Sequence, residues 1–297
     1  MIGLGAKYLT AAGFGRYRIT AASLGNLDLL GTWRWLSQAT LQAILGAFGQ
    51  TDGKAVINAT NAYLTQLAAS DRDKATALAA LINEDPMMVC SLGLSVEGVT
   101  MPIRWLVGDG NTHIVSGVKS LPTTTAKCKV LYNSSNSIRM DLFGARSDGE
   151  NQYAFYVSYN EDWGSVRMRY INGSNTQGNI VLNNGMHEIE LRPNQFICDG
   201  TTYSAGTNSG TQYDLIVMGV RFNATNNGQG MKGQGMAYLD LKNTTGGDRL
   251  FIPFIGQNRD GMVDLVAGVF HPNQGTGHFT DAYTLQDGVT PWTPSTP

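Results

Sequence analysis

The stretch HEIELR, residues 187–192, decides how this chain is to be read. Successive side chains of an extended strand point to opposite faces, so Ile189 and Leu191 take one side while Glu188, Glu190 and Arg192 take the other. One face is built for a core and one for water. The same pattern extends in both directions from about residue 102 onward. AKCKVLYN (126–133), IRMDLFGAR (138–146), YAFYVSYN (153–160), VRMRYING (166–173), HEIELRP (187–193), QFICDGTTY (195–203), YDLIVMGVRF (213–222), GMAYLDLKN (235–243) and RLFIPFIG (249–256) are runs of β-branched and aromatic residues, each closed by Gly, Asn, Asp or Ser. Nine strands at that density predict an antiparallel sandwich or barrel. No fixed-period repeat points to a propeller or solenoid.

Residues 1–90 have a different periodicity. In SQATLQAILGAFG, Leu41, Ile44, Leu45 and Phe48 fall on one helical face, and Gly49 is placed as a C-cap. A second helix is expected over 54–69, with Val56, Ile57, Tyr63, Leu64 and Leu67 facing inward. A third is expected to start after Ser70 as N-cap and to stop at Pro86. The first 25 residues, glycine-spaced and without a clear period, read as an extended arm. The expected division is therefore an arm (1–25), a helical attachment and oligomerisation module (26–90), a linker (91–102), a β-sandwich (103–282) and a C-terminal tail (283–297).

Charged residues make up only 15% of the chain and glycine supplies 36 of 297 residues, a composition suited to a turn-rich β protein. A net charge of -2 gives no basis for gripping a polyanion, so nucleic acid is discounted as a ligand. Cys90, Cys128 and Cys198 are too few and too scattered for a disulfide framework or a zinc site. Lys7, Arg16 and Arg18 interrupt any signal-peptide core, and no stretch approaches the ~20 apolar residues of a membrane span. The expectation is a chain made and kept in a cytoplasm, without membrane insertion.

The order of the strands resembles the concanavalin A-like jelly roll of the laminin G type, as found in proteins of gut bacteria and their phages. The resemblance covers about residues 103–280. It runs through IRWLVGDGNTHIVSGVK, MDLFGARSDGENQYAFYVS and GMHEIELRPNQFICDGTTY with a hairpin at Asp199-Gly200. It ends with the segment from YLDLKNTTGGDRLFIPFIG to HPNQGTGHFT. It implies a mainly β, antiparallel jelly-roll sandwich behind a small helical module. By analogy of layout, that arrangement is expected of a non-enzymatic bacteriophage virion protein, a homotrimeric head or tail fibre or decoration. Residues 1–90 would attach it to other virion proteins, and the sandwich would meet a bacterial surface glycan or receptor. The alternatives are a carbohydrate-active enzyme or secreted carbohydrate-binding module, and a purely structural capsid or tail adaptor.

The candidate sites follow from residue chemistry. Trp163, after an acidic turn and before a glycine, is the leading glycan-stacking residue, with Tyr159, Asn160 and the loop residues Asn223, Asn226 and Asn227 on the same rim. Trp163 covering one end of the core is the competing reading. Asp148 and Glu150 in RSDGEN, and Glu161 and Asp162 in YNEDWG, offer oxygen ligands for calcium, against the commoner role of such residues in turns. No other cofactor is expected. Glu188 and Glu190 share a strand face as a glycosidase pair might, but the third acid of similar jelly-roll hydrolases is missing, and alternation puts both on the solvent side. Tyr8, Phe14 and Tyr17 of the arm, with Trp33 and Trp35 of GTWRWL, are assigned to attachment, the two tryptophans as core or subunit-contact residues. In FHPNQGTGHFT (270–280), His271 and His278 have no acid or thiol between them, so the stretch reads as a glycine bend between two last strands, with Phe270 and Phe279 closing the core.

Overall fold

The β3 strand, Ser120–Tyr132, shows why the sheets form. From Thr124 onward its side chains alternate, with Ala126, Cys128, Val130 and Tyr132 buried and Lys127 and Lys129 turned outward. Its neighbour β8, Gly185–Arg192, does the same with Ile189 and Leu191 inside and Glu188 and Arg192 exposed. The two pair antiparallel with Lys127 opposite Glu190 and Lys129 opposite Glu188, so burying the apolar faces also places opposite charges side by side. This is a computed structural model, and it describes residues 35–136, 140–146, 154–162, 165–177, 180–207, 209–221 and 230–295.

Two antiparallel sheets enclose the main core. The larger runs β10 (Thr201–Ser204), β9 (Gln195–Cys198), β8, β3, β12 (Lys232–Thr244), β13 (Gly247–Ile255), β14 (Asp260–Asp264) and β15 (Val269–Pro272), with β1 (Ile103–Asp109) joining at β12 and β16 (Thr280–Thr284) pairing on β1. The smaller runs β2 (Ile114–Val115), β11 (Ile216–Val217), β4 (Met140–Ala145), β5 (Phe155–Asp162), β6 (Ser165–Asn172) and β7 (Ser174–Gln177). The expected mainly β, antiparallel sandwich is present. Asp199 (φ 48°) and Gly200 (φ 78°) form the two-residue turn between β9 and β10, where left-handed backbone matches the strand twist. The segment YDLIVMGVRF yields only the two residues of β11, because Met218 takes φ 57° and turns the chain, its amide donating to the Leu142 carbonyl.

The helical part comprises α1 (Gln38–Ser70), α2 (Arg72–Glu84) and a 3-10 turn, Pro86–Cys90. Gly49 breaks α1 with φ 74°, as its expected capping role requires. A Cβ on Gly53 would lie 2.7 Å from the Leu45 Cα, so the two halves of α1 meet at backbone contact. The cap of α2 is Asp71, whose side chain accepts from the Lys74 amide at 2.9 Å, and not Ser70, whose hydroxyl turns back to the Leu67 carbonyl. A carboxylate also complements the positive end of the helix dipole, which a hydroxyl does not.

Helices and sheet share a second core. Ile44, Val56, Leu64, Leu78, Ile82 and Met88 pack with Ile252 and Phe254 of β13 and Val263 of β14. Leu92 is buried there as well, with Leu94, Val96, Val99 and Met101 against it, so the segment expected as a linker is part of the packing. Beneath it the large sheet forks. β12 pairs with β1 through Leu106 and Val107 and with β13 from Leu239 onward, both on the side away from β3. Asp85, at the end of α2, spans the fork: its Oδ2 accepts from Arg104 Nη1 at 2.5 Å and from the Ile255 amide at 2.9 Å. Arg104 is 2% exposed and also reaches Asp281 at 3.1 Å.

Removing one partner of a buried ion pair leaves the other charge unpaired, at a cost of about 3–5 kcal/mol. Asp85→Ala is expected to lose stability of that order in urea unfolding, and Asp85→Leu with Arg104→Met to recover part of it. A fragment beginning at residue 102 bares Ile252, Phe254 and Val263, so it is expected to bind a hydrophobic dye and to aggregate where the full chain stays in solution as a defined species.

Candidate functional site

At one end of the sandwich, amide side chains gather where β3 ends, β8 begins and β12 enters the sheet. Tyr132 and Tyr159 close the core beneath this end, ring to edge at 5.0 Å. The Tyr159 hydroxyl accepts from the Leu182 amide at 3.1 Å, and burial, then the neighbouring Tyr159, pushes the Tyr132 phenol up to about 12. Above them the Gln234 side chain imitates a strand: its Oε1 accepts from the Asn133 amide at 2.7 Å and its Nε2 donates to the Asn133 carbonyl at 2.9 Å. Asn133 Oδ1 in turn holds the amide and hydroxyl of Ser135. Asn184 Oδ1 accepts from the Ser134 amide at 2.7 Å, and Asn136 Nδ2 donates to the Gly233 carbonyl at 2.5 Å. Asn133, Asn136 and Asn184 are exposed. An amide presents donors and an acceptor together, which suits hydroxyl-rich neutral ligands.

The strands that flank Trp163 lead to this same end. Met140 pairs with Tyr159, and three residues further on Asp162 pairs with Ser165 across the hairpin. Trp163 lies outside the described residues, as do Asn223, Asn226 and Asn227, Asp148 and Glu150, and Tyr8, Phe14, Tyr17 and Trp33. Asn160, Glu161 and Asp162 belong to β5 by backbone pairing, so Glu161 and Asp162 are strand residues rather than a turn. Tyr159 is corrected: at 1% exposure it is part of the core, and no ring face is free for a sugar. Trp35 takes the core place that was one of its two expected roles: it is packed in the helical core, and its carbonyl accepts from Asn83 Nδ2.

The glycine-rich stretch after β15 lies at the Asp109 end of β1. Asp109 accepts from the amides of Asn111 (2.8 Å) and His278 (3.2 Å), and Asp260 accepts from the Phe279 amide and from Asn273 Nδ2. A Cβ on Gly275 would sit 1.8 Å from the Asn111 carbonyl oxygen, so that position requires glycine, and one on Gly277 would sit 2.0 Å from Asp109 Oδ2, so a larger residue there would displace the carboxylate. His271 bonds the Val115 carbonyl and packs edge-on to Phe251, while His278 is exposed. Phe279 is buried in the sandwich core and Phe270 packs on the helical side. Among the described residues no three His, Cys, Asp or Glu side chains gather as a metal site.

The acidic pair of β8 is held on the outer face. Glu188 meets Lys127 at 2.7 Å, and Glu190 takes the Arg192 guanidinium in two bonds at 2.5 and 2.7 Å. The three cysteines are free thiols, and burial pushes Cys90 and Cys198 up to about 12 and Cys128 also upward. No described helix is long and apolar enough to cross a membrane, which leaves strand-based crossing unaddressed.

No protein-family model matches the chain, and no curated protein matches it significantly. A solved structure from Bacteroides ovatus, of a protein provisionally titled carbohydrate binding, aligns over 66% of this chain and 62% of its own, at 9% identity and a TM-score of 0.42. The match thus spans less than two thirds of that protein, and a likeness of this size carries no functional argument.

Because the thiolate is the reactive form, the raised thiols are expected to resist iodoacetamide in the native protein at about pH 8.5 and all three to react after unfolding. Mass spectrometry of the alkylated chain reads the difference directly.

Proposed function

We propose that this chain is a non-enzymatic attachment protein that binds a neutral glycan or glycan-bearing receptor through the amide-rich end of its sandwich. In the fuller reading it is a bacteriophage fibre or decoration subunit, homotrimeric, assembled in the host cytoplasm and joined to other virion proteins through residues 1–90. The observation that carries the binding role is the set of exposed amides on Asn133, Asn136 and Asn184, at the end where the strands flanking Trp163 terminate. Uncharged donors and acceptors beside an aromatic residue are the elements sugar recognition uses. The engagement of Glu188 with Lys127 and of Glu190 with Arg192 supports binding over hydrolysis, because a general acid must be able to hold and release a proton. The particle assignment rests on the helical module preceding a lectin-like sandwich, and the module's shared core with β13 and β14 supports its action as a rigid mount.

A glycan array probed with the full chain is expected to give binding to uncharged bacterial surface sugars. Trp163→Ala is expected to weaken it by about tenfold or more, in line with an aromatic anchor. Silence across the array would favour the purely structural adaptor, and sugar release abolished by Glu190→Gln would favour the enzyme. Light scattering at micromolar concentration tests the trimer, and a clean monomer counts against it.

A further inference from the structure

The last described residues are bound into the fold. After β16 the chain reverses in a turn built on Asp287, whose carboxylate accepts from the amides of Val289 and Thr290 and from the Thr290 hydroxyl. Gly288 is seated against Met186, where a Cβ would fall 2.4 Å from that side chain, so only glycine fits. The returning segment pairs back on β16 through the Leu285 amide to the Thr290 carbonyl (2.8 Å) and the Trp292 amide to the Tyr283 carbonyl (2.9 Å). Gln286 Nε2 reaches the Met101 carbonyl at 2.5 Å. Trp105, fully buried on the face of β1 opposite Leu106, lies in a small cluster with Ile103, Met186 and Ala282, and its indole N–H donates to Thr284.

Beyond this turn the segment crosses to the helices. The Trp292 ring lies between Tyr283 (5.6 Å) and Phe48 of α1 (5.5 Å). Ser295 donates from its hydroxyl (2.9 Å) and its amide (3.4 Å) to the carbonyl of Ala47. That carbonyl lies in the last turn before the Gly49 break, where a helix leaves acceptors without partners of its own, so the C-terminal segment completes the end of a helix about 250 residues away. The same Tyr283 donates its hydroxyl to Asp281 at 2.5 Å, and Asp281 holds Arg104. One line of contacts therefore runs from Phe48 through Trp292, Tyr283 and Asp281 to the Arg104–Asp85 pair at the fork.

We propose that residues 285–295 are a clasp that adds to the hold of the helical module on the sandwich, and that its release loosens the module's attachment while the two sheets stay folded. The clasp touches the module at the Gly49 break and is linked to the fork through Tyr283 and Asp281 of β16, yet it adds no side chain to the core between the sheets.

Hydrogen exchange on the full chain, on Trp292→Ala and on a chain ending at Thr284 tests this. Release of the clasp is expected to speed exchange in residues 38–48 and 81–90 by about tenfold or more while β3, β5 and β8 keep their protection. Unchanged exchange in 38–48 overturns the proposal, and so does equal acceleration in β3, β5 and β8, which reports a general loss of stability. If the truncated chain does not fold, Trp292→Ala decides by the same two readings.

Discussion

A buried guanidinium between two carboxylates is the constraint on which the rest of this molecule is arranged. Arg104 leaves the apolar strand IRWLV with almost no exposure, and a charge in that position is tolerated only with partners in place. Asp85 and Asp281 supply them, one from the end of α2 and one from β16. Because Asp85 also takes the Ile255 amide, a single carboxylate joins the helices to both arms of the forked sheet. The helical module therefore cannot move relative to the sandwich without uncovering a charge. Its apolar contacts with Ile252, Phe254 and Val263 add area to that joint, and Arg259, stacked near Phe270 at 4.5 Å and bonded to Glu84, closes its outer side.

Aspartate has one recurrent task among the described residues, which is to hold main-chain amides. Asp71 caps a helix, Asp109 and Asp260 hold the 278–279 backbone, and Asp287 makes the last turn. Asp199 accepts from the Glu188 amide and from His187, and buried Asp264 accepts three backbone amides. Each carboxylate satisfies main-chain donors that the turns of a glycine-rich β protein leave without partners.

The inward and outward faces of the strands were legible because strand alternation is a local property, whereas the amides of Asn133, Asn136 and Asn184 were not. HEIELR alone placed Glu188 on the wet face and Ile189 in the core, and FHPNQGTGHFT was correctly taken for a bend between strands. Tyr159 was misplaced because alternation says that residues share a face without saying which face is covered. Its partner Tyr132 lies on the opposite sheet, more than twenty residues away in sequence. The Gln234 amide that continues the β3–β12 ladder through Asn133 left no signal in the sequence, since a lone Gln in a glycine-rich stretch has no periodicity to betray its role. The arginine in IRWLV did leave one, as a charge amid apolar strand residues.

By itself the sequence determined the alternating strands, the helical first part, the glycine positions that break α1 and bend the chain after β15, and the outward placement of the acidic pair. All of these follow from the preferences and periodicity of neighbouring residues. Only the tertiary structure decided that β12 has a forked partner, that Asp85 and Arg104 meet there, that residues 92–101 pack rather than link, and that the C-terminal segment returns to α1. Those features pair groups tens to hundreds of residues apart, and the free energy that selects them is the burial of a charge or a ring against a surface that exists only once the sheets have formed.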